Sequence, residues 1–279
     1  MIIDFHTHIF PGEIRNNRQK YFASEPAFEL LYSSPKSKMV GAQQIINVMD
    51  EEEVDKAVVF GFPWQNAETF KRHNDYVIKA IQRYPNRLIG FGCFDPMHSK
   101  AEREAKRCIE SGMFGIGELA FYQSGFEAET LDRLSPVMEI CRAKDLPVMF
   151  HTNEPVGHHY PGKTPNTLAQ IYEMVKRFDK NKIILAHWGG GIFFFHLLKK
   201  EVRSTLRNVY FDTAASPFLY DVEIYHTAIR LAGVEKILFG SDFPLIKPSR
   251  YQKEFEQAGL SEHEITSISG LNAARLLNL

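Results

Sequence analysis

A chain of 279 residues with 44% hydrophobic and 24% charged side chains can bury one large core, and a formal net charge of -1 carries no basic excess for a nucleic acid or an acidic membrane surface. No apolar run approaches the ~18 residues that span a bilayer, and the start lacks the basic, apolar and small-residue order of a signal peptide, so a cytoplasmic protein without a membrane partner is expected. Cys93, Cys108 and Cys141 are odd in number and sit in apolar or helical sequence, which predicts reduced structural thiols.

In chain order, short apolar, β-branched runs alternate with longer amphipathic segments. Strands are predicted at Ile2 to His6, Lys56 to Phe62, Leu88 to Phe94, Gly115 to Phe121, Pro147 to Thr152, Ile183 to Trp188, Val209 to Thr213 and Ile237 to Asp242. The segments between them carry helical punctuation. Ser99 with Glu102 and Ser261 with Glu264 read as capping boxes, and Pro165 reads as a first-turn proline behind Thr164. After the first strand the strands recur about every thirty residues, the length of one βα unit. This alternation predicts an α/β fold, a parallel (β/α)8 TIM barrel forming a single domain over residues 1–279. A doubly wound open sheet is the competing architecture, but the first turn, HTHIFPGEI, lacks the glycine-rich dinucleotide fingerprint. Residues 10–40 break the rhythm with Pro11, Gly12, Pro26, Ser33, Ser34 and Pro35, and are expected to form a loop with short helix that shapes the active site.

In such a barrel, chemistry sits where the strands end. His6 and His8 alternate with Thr7, so in a strand they project from one face. Glu118 lies in the fourth strand, while His151, His187 and Asp242 end the fifth, sixth and eighth. Each has a bland reading: a paired buried carboxylate for Glu118, core histidines for His151 and His187, a helix or turn cap for Asp242. Together these four imidazoles and two carboxylates make a nitrogen and oxygen donor set for a divalent metal, zinc first, with manganese, iron or nickel as alternatives. Met113, Met138, Met149 and Met174 read as core, Phe193 to Phe195 as an apolar stretch, and His73, His196, His226 and His263 as histidines without a ligand role.

The order HxH, Glu, His, His, Asp over strands one, four, five, six and eight resembles the amidohydrolase superfamily of metal-dependent barrel enzymes. The segments IIDFHTH, GSDFP and NAARLLNL are similar to its amidohydrolase-2 branch, which holds hydrolases and nonoxidative decarboxylases. The resemblance implies either of two metal arrangements. In one, His6, His8 and Asp242 hold one ion, His151 and His187 a second, and Glu118 bridges them. In the other, a single zinc lies among His6, His8, His151 and Asp242, and His187 serves as an acid, base or transition-state stabiliser. A bridging Glu118 departs from the one-metal pattern and points to a hydrolase acting on an amide, lactone or ester of a small polar molecule. Asp242 would relay the proton of a metal-activated water and His187 would steady the oxyanion.

The alternatives are a zinc-dependent decarboxylase of an aromatic or unsaturated acid and, less favoured by the neutral charge, a TatD-like nuclease; a ligand-binding barrel without catalysis is disfavoured by the complete donor set. For the small-molecule substrate, Asn153, Glu154, His158, His159, Tyr160 and Lys163 after strand five are candidate contacts, and Trp188 a candidate pocket wall. Arg15, Arg18 and Lys20 read either as contacts to an anionic group or as a solvated basic stretch, and Asp212 as a hydrogen-bond acceptor behind a ligand or a turn former. A homodimer through outer helices is the expected assembly.

Overall fold

A computed structural model describes residues 1–279. Eight parallel strands follow one another in chain order: β1 (Ile3–His8), β2 (Lys56–Phe60), β3 (Leu88–Gly92), β4 (Gly115–Leu119), β5 (Val148–Phe150), β6 (Ile183–Leu185), β7 (Val209–Asp212) and β8 (Ile237–Leu238). The last closes on the first: Phe5 donates to the Phe239 carbonyl at 2.7 Å, Asp242 to that of His6 at 3.0 Å, and Thr7 bridges Phe243. The result is a (β/α)8 barrel.

Because both faces of every strand are covered, the strands read as unbroken apolar runs and their side chains divide between two cores. Ile3, Phe5, Val58, Phe60, Ile89, Phe91, Met149, Ile184 and Leu238 fill the barrel interior. The closing helix, Asn272–Leu277, seals its lower end by adding Ala273, Leu276 and Leu277 to the same cluster. A larger apolar layer joins the outer strand faces to the surrounding helices, whose Cys108 and Cys141 are buried and unpaired, as is Cys93 at the end of β3.

The strands stop earlier than the sequence reading had them. β5 ends at Phe150, β6 at Leu185 and β8 at Leu238, so His151, His187 and Asp242 stand just past the strands. His187 and Trp188, just past β6, adopt left-handed backbone angles with φ of 55° and 61°, and Asp242, four residues beyond β8, has φ of 61° while its N–H still bonds β1.

Two helix starts also differ. The helix Ala101–Glu110 begins after Lys100, without a side-chain cap from Ser99. The helix Leu168–Arg177 is capped by Thr167 and Gln170, because Thr164 is held instead by Asn153, whose Oδ1 accepts from its N–H and its hydroxyl, both at 2.7 Å. The Ser261 and Glu264 capping box is present.

The insertion after β1 holds three short helices, Gly12–Asn16, Gln19–Phe22 and Pro26–Tyr32, gathered around an aromatic knot. Phe28 lies at its centre, 4.5 Å from Trp64, 4.8 Å from Tyr32 and 5.5 Å from Phe62 between ring centroids. The Arg18 guanidinium donates to the carbonyls of Tyr32, Ser34 and Ser37, while Arg15 donates to Phe10 O and Gln44; Lys20 is exposed. These two arginines therefore pin the insertion together, which accounts for the basic stretch.

Candidate metal centre and active-site cavity

The upper rim of the barrel gathers all six ligand candidates. His6 and His8 leave β1 on the same face, and their Nε2 atoms come within 3.3 Å. Asp242 Oδ1 lies 3.3 Å from His8 Nε2 and 3.6 Å from His6 Nε2. Glu118 stands between the two halves: Oε2 is 3.7 Å from His6 Nε2, while Oε1 is 2.9 Å from His151 Nδ1 and 3.6 Å from His187 Nε2. Three overlapping triads result, His6 with His8 and Glu118, His6 with His187 and Asp242, and Glu118 with His151 and His187, each with its donor atoms within 4.8 Å of one another.

Local backbone explains how the atoms come so close. Gly240 has no side chain, and a Cβ there would lie 2.7 Å from the His6 Cβ. Gly117, with φ of 142°, lets β4 pass Met149, where a Cβ would lie 2.7 Å from the Met149 carbonyl. Left-handed, non-glycine residues at His187 and Asp242 carry a cost on the order of 1–3 kcal/mol each, the kind of strain that clusters at functional sites.

Hydrogen-bond accounting gives the cluster its chemical character. His6 Nδ1 donates to Asp212 Oδ2 at 2.8 Å, His187 Nδ1 to Ala214 O at 2.9 Å and His151 Nε2 to Gly162 O at 2.9 Å; His8 Nδ1 faces Gly61 O at 3.4 Å. Each imidazole thus turns its second nitrogen inward, toward two carboxylates. Neutral rings present only lone pairs there, and two lone pairs 3.3 Å apart repel unless a cation or a proton lies between them. Burial opposes charging His6, but Glu118, Asp212 and Asp242 overcome it and push its pKa up to about 10. Burial likewise opposes charging His187, and Glu118 and Asp242 raise it to about 9. Glu118 and Asp242 are themselves held below the usual carboxylate range, since burial is outweighed by His151 and His6 for the first and by His8, His6 and His187 for the second. The site demands positive charge, and nitrogen and oxygen donors in this arrangement suit a divalent cation.

Behind the cluster, Asp212 is fully buried and accepts from His187 N–H at 2.8 Å and Ala214 N–H at 3.1 Å as well as from His6. It fixes the ring of one ligand candidate and the backbone of another, and through its bond to Ala214 N–H, two residues on, it forms an Asx turn as well, so both readings of it hold. Asp4 was not singled out in the sequence. It accepts from His6 N–H, Ser241 N–H and the Ser241 hydroxyl, joining β1 to the segment before Asp242; burial raises its pKa to about 6 despite these bonds. Its signal was the alternation Asp4, His6, His8 on a single strand face.

A cavity of about 370 Å³ rests on the cluster. Leu31, Tyr32, Phe62, Tyr122 and Pro244 wall it, and Ser34, Lys36, Ser37 and Lys38 from the insertion stand around it. The rings of Phe62 and Tyr122 are parallel within 12° at 6.2 Å, and Tyr122 lies 5.9 Å from the His151 ring. These aromatic walls follow strand ends, the same positional rule that located the ligands.

The predicted substrate contacts divide. His158 and Tyr160 line a continuation of the cavity. Glu154 also borders it, but its carboxylate accepts from the Tyr160 hydroxyl at 2.8 Å and Lys163 at 2.9 Å, and Lys163 also donates to the carbonyls of Val156 and His158. Asn153 ties the loop to Thr164, and His159 is exposed. Trp188 is no pocket wall: it is fully buried, donates to Ser216 Oγ at 3.0 Å and packs edge-on against Tyr225 at 5.2 Å, because the left-handed turn sends it to the helices while His187 faces the cavity. Among the other histidines, His73 lies buried on the inward face of the helix Ala67–Arg83; it accepts from Trp64 Nε1 at 2.8 Å and donates to Ile9 O at 2.6 Å. Neither it nor the half-buried His196 joins the cluster.

A (β/α)8 barrel carrying histidines and carboxylates past its strand ends defines a class of barrel enzyme built around a divalent-metal donor set. The chain belongs to the amidohydrolase family, whose model matches residues 3–279. It is similar to the gamma-resorcylate decarboxylase of a Polaromonas species, 26% identical over 76% of this chain and 77% of that protein. It is also similar to the 2-amino-3-carboxymuconate-6-semialdehyde decarboxylase of Dictyostelium discoideum, 24% identical over 99% of this chain and 91% of that protein. The fold is shared with the crystal structure of a dihydroxybenzoic acid decarboxylase from Polaromonas, with bound manganese and the inhibitor 2-nitroresorcinol, at a TM-score of 0.72 and 20% identity over 100% of this chain and 97% of that one.

Proposed function

We propose that the protein is a metal-dependent nonoxidative decarboxylase of an aromatic or unsaturated carboxylic acid. The observation that carries this reading is the pairing of a cation-demanding cluster with an aromatic wall made of the mutually stacked Phe62 and Tyr122 rings, which suits an aromatic or unsaturated acid better than a flexible polar amide. The two curated relatives are both decarboxylases, which supports the same choice over hydrolysis.

In this reading His6, His8 and Asp242 would hold a divalent cation, zinc or manganese, while His151 stays with Glu118 and His187 in the neighbouring triad. When bound, the cation supplies the positive charge that anchors and polarises the substrate carboxylate. Lys36 and Lys38 at the cavity wall attract the anionic substrate, and the stacked Phe62 and Tyr122 give it an apolar wall. His187, whose Nε2 lies 3.6 Å from Glu118 Oε1, would donate its Nε2 proton to the carbon that bears the carboxylate. The bond to that carboxylate breaks, its electron pair stays on the ring carbon to form the new C–H bond, carbon dioxide leaves, and solvent returns a proton to His187.

Hydrolysis of a lactone, ester or amide is the second reading, favoured by one observation: the two oxygens of Glu118 face separate triads, as a carboxylate bridging two cations would. Metal analysis joined to Glu118→Gln separates the two. The decarboxylase reading expects about one ion per chain and a variant that retains carbon dioxide release at lower pH. Two ions per chain, one lost along with all activity in the variant, overturn it.

A further inference from the structure

Past the cluster the cavity widens into a second lobe of about 770 Å³, which shares Leu31, His151, Pro161, His187, Asp242 and Leu245 with the first. A single-ring acid is accommodated by the first lobe alone, so the second would remain open beside it. Its own walls include Val156 in the loop after β5 and, after β7, Ala215, then Phe218 and Leu219 of the short helix Ser216–Leu219, then Tyr220. Val156, Phe218 and Leu245 are 74%, 69% and 56% exposed, an apolar surface left in water at the mouth of the site. Tyr220 borders the lobe, and its hydroxyl is buried beneath the surface without a hydrogen-bond partner, to be reached by a ligand oxygen once the side chain turns toward the lobe. The nearby Glu154 carboxylate already accepts from Tyr160 and Lys163.

We propose that this second lobe is a substrate subsite for an apolar substituent on the aromatic acid, carrying an ether or carbonyl oxygen that accepts the Tyr220 hydroxyl. The inference rests on the aromatic-acid reading above and narrows it: the substrate has a carboxylated ring at the cluster and a chain reaching between Phe218, Leu219 and Val156. Water over those side chains is released when the chain binds, and the orphaned hydroxyl gains its partner.

The test is calorimetric binding of benzoates bearing linear 4-alkyl chains of increasing length, and of the matching ether-containing chains, to the metal-loaded protein. Affinity is expected to rise roughly threefold to fourfold per methylene until the lobe is filled. Phe218→Ala, at an exposed position, and Leu219→Trp, which fills the space, should each flatten that dependence. Tyr220→Phe should remove the advantage of the ether over the alkyl chain without changing the alkyl slope. A wild-type series that binds with no dependence on chain length overturns the subsite. So does a flat series accompanied by a dimer that Phe218→Asp dissociates in sedimentation, which would make a second copy the occupant. Failure of every benzoate to bind overturns both the subsite and the aromatic-acid reading, whereas a clear slope without carbon dioxide release from any carboxylated ring overturns only the proposed reaction.

Discussion

His187 combines three features: a left-handed backbone, an Nδ1–H given to Ala214 O, and an Nε2 directed between two carboxylates. In the metal-free protein Glu118 and Asp242 outweigh burial and raise its pKa to about 9, and a cation held by Asp242 would offset part of that rise. A proton-donating role therefore makes turnover fall with rising pH along a limb that lies below about 9 in the metal-loaded protein. His187→Asn is expected to lower kcat by roughly 10²–10⁴-fold and to abolish that alkaline limb in a pH–rate profile. An unchanged profile would remove His187 from the reaction. Asp212 acts through others. Replacing it by Asn leaves His6 Nδ1 and two backbone N–H groups with a poorer partner, and chelator competition should show metal affinity weakened about 10–100-fold.

At the scale of the element, the strand ends set the site, and this was legible in the sequence because residue type, order and the period-two alternation of His6 and His8 all follow from the barrel. The six ligand candidates do converge. The exact strand ends were less legible, since an apolar run does not reveal where β6 gives way to the left-handed turn at His187 or that β8 stops at Leu238. Side-chain direction past those turns was not legible either, which is why Trp188 reads as a pocket wall but packs in the outer core. The polar loop after β5 mixes lining residues with braces such as Asn153 and Lys163, and only their partners tell them apart. The same holds for Arg18 in the insertion, whose charge suggests a substrate but whose guanidinium meets three carbonyls. Arg18→Ala should loosen residues 33–38, read as faster limited proteolysis there, and raise KM about 3- to 10-fold with metal content unchanged.

For the molecule as a whole, the buried His73 ties the segment after β1 to the segment after β2 by bonding both Ile9 and Trp64, and its acceptor nitrogen leaves no room for a second proton. Burial lowers its pKa to about 4, so the unfolded chain binds a proton near pH 6.5 that the folded chain refuses. Stability should therefore decline as the pH falls from about 6.5 to about 4, by up to ~3 kcal/mol. Urea unfolding of chelator-treated protein at several pH values checks this, with His73→Phe less stable throughout but lacking that share of the slope; an identical slope in the variant would contradict it. No helix of the chain is long and apolar enough to cross a membrane. The central claim is that the rim cluster and its aromatic walls act together to remove a carboxyl group from a planar acid. It is tested most directly by supplying carboxylated phenols and unsaturated amino acids to the zinc- or manganese-loaded protein and measuring carbon dioxide. Release matched to the decarboxylated product and abolished by chelation is the expected result; hydrolysis of lactones, esters or amides with no carbon dioxide from any acid would contradict it.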